Sequence, residues 1–451
     1  MTATAGPAPV PGSGPAGPLP RPGGPQAASL PGSGLRTRPF VLLAAGQAVS
    51  RLGDGLFATA LAWIALQSRG ATGVALVASA AAAPLLLGSV LGASYADRHD
   101  RRRLMISTDL LRLLLLLGLA AALLRGPVPL WALAGFALAE GSASAVFAPA
   151  RLALVPAIIP AGQLLRANGI MQACFMASFG IGPLLLGPLL AVTVMPGVVA
   201  VNAATFAVSA ATLAAMRLAA PGGPPAADPG MRADLAAGWR AVRSAPDVPL
   251  VLGTFVAALV LASGFLTVGL PAWVSRAHGG AGTLGLLQGA AGVAELAGAL
   301  ALSRLRLRRL AVIAVGAWGV LGGFRLFLGG TSHLAAGLPL MAGTGLASAA
   351  TDIPVIALLQ ARIPGQHLGK AMALWYTGIA AATTISPPLA AAAVRAWGLT
   401  VSFALSGSAL LALSGLSLLR LTRRPPAAGN PAARRFPVPD VRTPAGARPL
   451  Q

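Results

Sequence analysis

The stretch Asp97-Arg98-His99-Asp100-Arg101-Arg102-Arg103 is a short charged segment between two long apolar runs, at about 72–95 and 104–124. Each charge at the centre of a lipid bilayer costs several kcal/mol, so four arginines and two aspartates in seven residues stay out of hydrocarbon. The segment therefore predicts a loop in water between two membrane spans. Short loops rich in arginine stay cytoplasmic, which also predicts the side of the membrane on which this loop lies.

The composition indicates an integral membrane protein rather than a soluble enzyme. The chain has 451 residues, of which 56% are hydrophobic and 10% are charged, and its mean hydropathy is +0.76. In a soluble globular protein about a quarter of the residues are charged. The net charge of +22 is spread between apolar runs instead of lying on one domain, which favours a role in membrane orientation over a nucleic-acid partner. The single cysteine, Cys174, excludes an intrachain disulfide.

Twelve apolar runs are long enough to cross a bilayer as helices, at roughly 20 residues for each crossing. The sequence therefore predicts an all-α integral membrane protein with twelve transmembrane helices in two six-helix bundles. The runs lie at about 39–66, 72–95, 104–124, 127–149, 165–191, 195–216, 249–272, 281–303, 309–329, 334–358, 371–394 and 399–420.

The polar segments divide the chain into five parts. We expect both tails to be disordered and cytoplasmic, because they are rich in proline and lack a long apolar run. In the linker between the bundles, Leu235, Trp239 and Val242 recur at helical spacing, which predicts an amphipathic helix at the membrane surface or, equally, a solvated linker helix. The predicted parts are the tail 1–38, the bundle 39–217, the linker 218–248, the bundle 249–420 and the tail 421–451.

Arginine and lysine are distributed unequally between the two sides. Of the 33 basic residues, 26 lie in the tails and in every second loop, and four lie in the opposite loops. This bias predicts a multi-pass protein of the plasma (inner) membrane with both termini in the cytoplasm.

The second bundle partly repeats the first. A shift of 206 residues places Arg98, Arg102 and Arg103 on arginines of the eighth inter-span gap, and shifts of 203 to 205 place Pro149 on Pro354. Two regions that agree on nearly one offset indicate structural copies related by an axis along the membrane normal. Transporters built in this way alternate access by rocking one half against the other.

These features resemble the major facilitator superfamily, whose signature loop between spans two and three carries Asp-Arg followed by two or more basic residues. Asp97-Arg98 and Arg101-Arg102-Arg103 fit this pattern, although Ala93 and Asp100 replace its two glycines. Ser50-Arg51-Leu52-Gly53-Asp54, Pro149-Ala150-Arg151 and Asn202-Ala203-Ala204-Thr205-Phe206 are similar to the branch that contains the enterobactin exporter and macrolide efflux proteins. The resemblance covers about 39–420.

The resemblance implies two kinds of functional residue. In this family the loop aspartate pairs with an arginine at the interface of the halves, so Asp97 with Arg98, Arg101, Arg102 or Arg151 would form a gate; the alternative is that these arginines only mark topology. Gly182, Pro183 and Gly187 in span five resemble a motif associated with antiporters, with ordinary small-residue packing as the alternative.

Five carboxylates lie inside predicted spans, and such residues by default mark a proton or substrate path or pair with a cation. Asp54 follows Arg51 by three residues, so this pair could neutralise itself or couple to protons. Glu140 and Glu295 have no cation nearby in sequence and are candidates for proton transfer or substrate contact. The alternative is a partner from another helix, such as Arg51 or Arg112, and in the second half Arg325 is the one obvious charge mate for Glu295.

The other two carboxylates are assigned to conformational control. Asp109 and Arg112 repeat the three-residue spacing, and we expect a structural pair there. Asp352, two residues before Pro354, is expected to have a capping or gating role.

Amides and aromatic rings could line a central cavity; the candidates are Gln47, Gln172, Gln288, Trp375 and Tyr376. No phosphate-binding Gly-x-x-x-x-Gly-Lys-Ser/Thr motif occurs, so ATP is not expected to drive transport. We expect no cofactor and no metal.

The sequence thus predicts a secondary transporter, working as a monomer, that exports an amphipathic or apolar small molecule in exchange for protons. Proton-coupled uptake is the alternative within transport. A transport-inactive membrane sensor on the same fold is the alternative from another class.

Overall fold

The computed structural model describes residues 35–98, 100–217, 231–305 and 309–423, without the side chains of 85–98, 231–235, 161, 165, 237 and 366. The predicted tails and the side chains of Asp97 and Arg98 therefore lie almost wholly outside the described residues. The regular elements of the described ranges are helices apart from short 3₁₀ and π turns. They are α1 (Arg38–Arg98), α2 (Arg101–Arg125), α3 (Leu130–Ile158), α4 (Leu164–Leu184), α5 (Leu186–Val192), α6 (Met195–Ala215), α7 (Met231–Ser244), α8 (Val248–Gly264), α9 (Leu270–Arg276), α10 (Ala281–Ser303), α11 (Leu310–Gly330), α12 (Leu334–Arg362) and α13 (Gly365–Arg423).

The described helices account for twelve membrane crossings. Nine segments are long and apolar enough to span, and α4 with α5, bent by 45°, makes a tenth. Two of the nine, α1 with 61 residues and α13 with 59, are interrupted at Arg69-Gly70 and at Gly398, so each is counted as two crossings. The all-helical membrane fold predicted from the sequence is confirmed.

A reversal of the chain divides α1 into two spans. Gly70 has a φ of +58°, a left-handed conformation that favours glycine. Beyond it, Gly73 lies so near the first span that an added Cβ would be 2.3 Å from the carbonyl oxygen of Ala65. In a continuous helix, residues eight apart are separated by about 12 Å. The chain therefore turns back on itself at Gly70.

We call the end of the bundle where α1 begins and α13 ends the inner end, and the opposite end the outer end. The first half comprises α1 to α6 and the second half α8 to α13. At the outer end both halves contribute to one hydrophobic core, which includes Phe57, Leu66, Val74, Trp273 and Leu284.

At the inner end each half has a core of its own. Phe40, Met105 and Leu154 belong to the inner core of the first half. Leu252 and Leu359 belong to that of the second half. The halves are thus joined at the outer end and separate at the inner end, which is the arrangement of a transporter open toward the inner side.

Glycines allow the two halves to meet closely. Gly180 and Gly187, in span five, lie against Gly292 and Gly282 of α10, respectively. An added Cβ on Gly292 would lie 2.4 Å from the carbonyl oxygen of Phe179 and 2.5 Å from the Cα of Gly180. Because backbone atoms form this contact, no side chain can move away to make room. We call this line of contacts the glycine seam.

The seventh span contains a π turn, Phe265–Gly269, between α8 and α9. Ser386 accepts a 2.6 Å hydrogen bond from the Gly264 N–H and donates to the carbonyl of Val260, the two groups that an α-helix joins directly. Arg325 donates to the carbonyl of Ala262 at 2.7 Å. A helix bends where a polar side chain inserts into its backbone hydrogen bonds. Polar groups of the neighbouring helices therefore hold this bend.

The charged residues at the start of α2 tie together the inner ends of the first half. Asp100 caps α2 by accepting a 2.8 Å hydrogen bond from the Arg103 N–H. Arg101 donates to the carbonyl of Ala153 at 3.1 Å, and Arg102 donates to the carbonyl of Leu213 at 2.7 Å, near the end of α6. The carbonyl of Leu213 lies in the last turn of α6, where helix carbonyls carry partial negative charge, so an arginine suits this position.

We expect the substitution Gly292→Ala to destabilise the closed outer end. The new methyl group overlaps backbone atoms of span five, and overpacking of this kind costs about 1–3 kcal/mol. Thermal unfolding of the purified protein in detergent should show a midpoint several degrees lower. Gly316→Ala is the matched control, because a Cβ at Gly316 meets nothing within 4 Å and alanine is the better helix former. Equal midpoints for the two variants would contradict the glycine seam.

Candidate functional site

Five charged side chains come together inside the first half, and we call them the charged network. Arg51 and Asp54 of α1 form an ion pair at 3.4 Å, with about a fifth to a quarter of each side chain exposed. Arg112 of α2 forms a second pair with Glu140 of α3 at 3.1 Å. Asp109 lies close enough to Arg112, Asp54 and Arg51 to interact with them electrostatically. Three carboxylates thus share two arginines.

Asp109 is the member of this network without a direct ion pair. Asp109 is 1% exposed, and its Oδ2 atom makes no hydrogen bond. The expected pair of Asp109 with Arg112 does not form, because the guanidinium reaches across to Glu140 on the neighbouring helix. A buried ionised carboxylate without a full set of partners is costly.

Aromatic rings hold the two arginines of the network. The guanidinium of Arg112 lies over the ring of Phe206 at 5.0 Å and the ring of Phe147 at 5.8 Å, and Arg51 lies over Phe175 at 5.8 Å. The electron-rich faces of the rings attract a cation and replace part of its hydration. These rings were not predicted from the sequence, because phenylalanine in an apolar span carries no signal of a cation above it.

Arg151 lies on the inner side of the network. It interacts electrostatically with Arg51 and with Cys174, and its Nε atom has no hydrogen-bond partner. None of the described carboxylates lies within ion-pair distance of it. The structure therefore shows no gate between Arg151 and the described part of the charged segment.

The second half carries its own acidic pair. Glu295 of α10 lies near Asp352 and Ser348 of α12, and Asp352 accepts a 3.0 Å hydrogen bond from Thr351. No arginine or lysine in the described ranges forms an ion pair with either carboxylate. Arg325, the one cation considered in sequence as a mate for Glu295, instead contacts Ala262 and, at 3.3 Å, Ser406. In the first half, two carboxylates thus form ion pairs with arginines, whereas in the described part of the second half neither Glu295 nor Asp352 forms one.

The predicted cavity residues have different environments. Gln47 and Trp375 are only 3% and 4% exposed, so neither faces an open cavity in this conformation. Gln288 accepts a 2.6 Å hydrogen bond from Thr59, which joins the two halves. Gln172 and Tyr376 are exposed. Thr59 was not singled out from the sequence, since a lone threonine in a span is common.

The residues of the span-five motif have structural contacts. Gly182 lies against the backbone of Gly55 in the first span, where an added Cβ would be 2.8 Å from the Gly55 Cα. Pro183 precedes the bend between α4 and α5, and Gly187 belongs to the glycine seam. The motif therefore joins span five to both the first span and the second half.

Arg101 and Arg102, which were predicted to take part in a gate, contact α3 and α6, so their described contacts stay within the first half.

In the described ranges, no three His, Cys, Asp or Glu side chains gather as a metal site.

Comparison with known proteins agrees with this architecture. The sequence profile of the Major Facilitator Superfamily matches residues 43–343 and 261–449. The chain is 28% identical to the multidrug efflux pump Tap of Mycobacterium tuberculosis (strain ATCC 25618 / H37Rv) over 199 residues, which are 41% of this chain and 46% of Tap. It is 26% identical to macrolide efflux protein A of Streptococcus pyogenes over 186 residues, 40% of this chain and 44% of that protein. The alignments thus span about half the length of these relatives.

Solved structures share the fold at low sequence identity. The nucleoside transporter NupG has a TM-score of 0.67 and 11% identity, with 86% of this chain and 100% of that chain covered. A bacterial homologue of the iron transporter ferroportin, in an inward-facing state, has a TM-score of 0.61 and 17% identity, with coverage of 86% and 99%. These likenesses show that the chain shares the fold of both proteins.

The family profile covers most of the chain, and the twelve crossings, the two halves and the inner opening fit it. The chain belongs to the Major Facilitator Superfamily and is a transporter.

Proposed function

We propose that the chain is a proton-coupled exporter of amphipathic small molecules. It would act as a monomer in the plasma membrane, with both termini in the cytoplasm, so that the inner end of the bundle faces the cytoplasm. The excess of basic residues in the tails and in every second loop supports this orientation. The efflux activities in the names of the two sequence relatives support the direction of transport.

The observation that carries the proposal is the position of Asp109. It is buried beside an ion pair, and one of its carboxylate oxygens has no hydrogen bond. A proton bound there removes a charge that has no ion pair of its own, while Arg112 stays with Glu140. The partly exposed pair of Arg51 and Asp54 lies within electrostatic reach and offers the route by which a proton enters.

Exchange follows if substrate and proton compete for the same negative charge. A cationic group that binds near the network, from the cavity between the halves, favours loss of the proton. A proton that binds from the outer side favours release of the substrate. Each ligand then shifts the balance between the two orientations of the halves only by its difference in affinity for them.

The side chains near the interface of the halves suit an amphipathic substrate. Phe175 and Phe179 pack edge to face at 5.0 Å and are partly exposed, and the carbonyl of Phe179 contacts α10. Glu295 and Asp352 supply negative charge from the second half. An apolar wall with a few charged groups is the usual form of a site for such molecules.

We expect Asp109→Asn to abolish export driven by a proton gradient. Asparagine keeps the shape of the side chain but takes up no proton, so the step that couples the gradient to transport is lost. Accumulation of ethidium in inverted membrane vesicles with an acid interior should fall at least about 100-fold, on the scale of general acid–base groups. Exchange of labelled ethidium for unlabelled ethidium without a gradient should persist.

The matched control is Asp100→Asn on the same helix. Asparagine caps a helix as well as aspartate does, so transport should be unchanged. Gradient-driven transport by Asp109→Asn at the wild-type rate would overturn the assignment of Asp109. Ethidium movement in the opposite direction would support an uptake permease. No transport by the wild-type protein with any of a panel of amphipathic compounds would favour a membrane sensor.

We expect Glu295→Gln to weaken export of cationic substrates selectively. Loss of a charged contact costs about 1.5–3 kcal/mol, which is roughly a tenfold or greater rise in KM for ethidium. The KM for chloramphenicol, an uncharged amphipathic molecule, should change less than about twofold. Equal changes for the two compounds would show that Glu295 does not recognise the cation.

A further inference from the structure

A cavity of about 280 Å³ lies between the two halves near the outer end. The second span contributes one wall and the eleventh span the other, with four residues from each half. This volume is at the lower end of the roughly 300–1,000 Å³ found for ligand sites, so it suits a narrow molecule. The lining residues are Thr72, Ala75, Leu76, Ser79, Pro388, Ala391, Ala392 and Arg395.

The cavity opens sideways, toward the lipid. Leu76 is 46% exposed, and Pro388, Ala392 and Arg395 are also exposed. The outer ends of the halves are joined, so these side chains face the bilayer and not the central cavity. The site is therefore a lateral cleft, and we call it the lipid-facing cleft.

The polarity of the cleft changes with depth. Arg395 and Thr72 lie at the outer end, where the second span begins and the eleventh ends. The stretch from Thr72 to Ser79 extends about 10 Å into the membrane at 1.5 Å per residue, and it is mostly apolar. Ser79, at the deep end, donates a 3.2 Å hydrogen bond to the carbonyl of Thr384. The guanidinium of Arg395 thus lies at the level of the lipid headgroups, and the deeper part of the cleft is a narrow apolar slot.

Arg395 has no ion pair or hydrogen bond with any residue in the described ranges. Arg276, another arginine at the outer end, donates a 2.7 Å hydrogen bond to Thr400. Arg395 is therefore free to bind an anion, and the slot below it fits a hydrocarbon chain.

We propose that the lipid-facing cleft binds an anionic phospholipid of the outer leaflet. Its phosphate pairs with Arg395, and one acyl chain lies between the second and eleventh spans. The choice of the outer leaflet rests on the orientation proposed above, whereas the binding of the lipid does not depend on the direction of transport or on proton coupling.

Such a lipid would favour the conformation open toward the inner end. Both walls of the cleft are in place when the outer ends of the halves are together, and they move apart when the outer side opens. A ligand that contacts both walls binds the closed outer end more tightly and shifts the population toward it. The amount of anionic lipid in the membrane would then regulate the transport cycle.

The test is a titration of the purified protein with dioleoyl phosphatidylglycerol, with bound lipid counted by native mass spectrometry. Arg395→Gln should weaken binding of the first lipid about tenfold, because a charge-assisted contact is lost. Ala392→Trp, which fills the slot and keeps the arginine, should weaken it similarly. Arg125→Gln removes an exposed outer arginine at the end of α2 and should leave the affinity unchanged.

Conformation provides a second readout. Distances between spin labels at the inner ends of the two halves should show more of the inner-open state in phosphatidylglycerol nanodiscs than in phosphatidylcholine nanodiscs. Arg395→Gln should remove this difference, and Arg125→Gln should keep it. Wild-type affinity for phosphatidylglycerol in both Arg395→Gln and Ala392→Trp would overturn the proposal, as would equal binding of phosphatidylcholine by the wild-type protein.

Discussion

The cost of placing a charge in hydrocarbon governs this structure. It keeps the charged start of α2 at the inner end, and it favours a partner for a charged group inside the spans. Arg51 has Asp54, Arg112 has Glu140, and Arg325 is held by the carbonyl of Ala262 and the hydroxyl of Ser406. Among the carboxylates of the described ranges, Asp109 keeps a buried oxygen without a hydrogen bond, which is why it is the centre of the proposed mechanism.

The same structure shows how a change at the network can reach the interface of the halves. The first span carries Asp54 in the network, Gly55 against span five and Thr59 bonded to Gln288 of the second half. Span five continues the contact through the glycine seam. Asp54, Gly55 and Thr59 lie within about two turns of the first span. A change of charge in the network therefore acts on the same part of the helix that contacts span five and the second half.

Much of the fold could be predicted from the sequence, because charge and hydropathy report directly on the membrane. The charged segment at 97–103 separates two spans, and the runs of apolar residues give the number of crossings. The pairing of Arg112 with Glu140 could be predicted only as one alternative, beside Arg51 as the partner of Glu140 and Asp109 as the partner of Arg112. Sequence spacing suggests partners three or four residues away, whereas Glu140 comes from another helix. Likewise, polarity suggested a cavity for Gln47 and Trp375, and only the packing of helices shows that both are buried. The roles of the site residues remain predictions.

The most direct test of the central claim is the number of protons released when substrate binds to the purified protein. A pH-sensitive dye in weakly buffered detergent solution near neutral pH would report it on addition of ethidium. Competition at Asp109 predicts about one proton for each ethidium bound by the wild-type protein and none for Asp109→Asn. Release of the same number of protons by both proteins, or none by the wild type despite ethidium binding, would contradict the account.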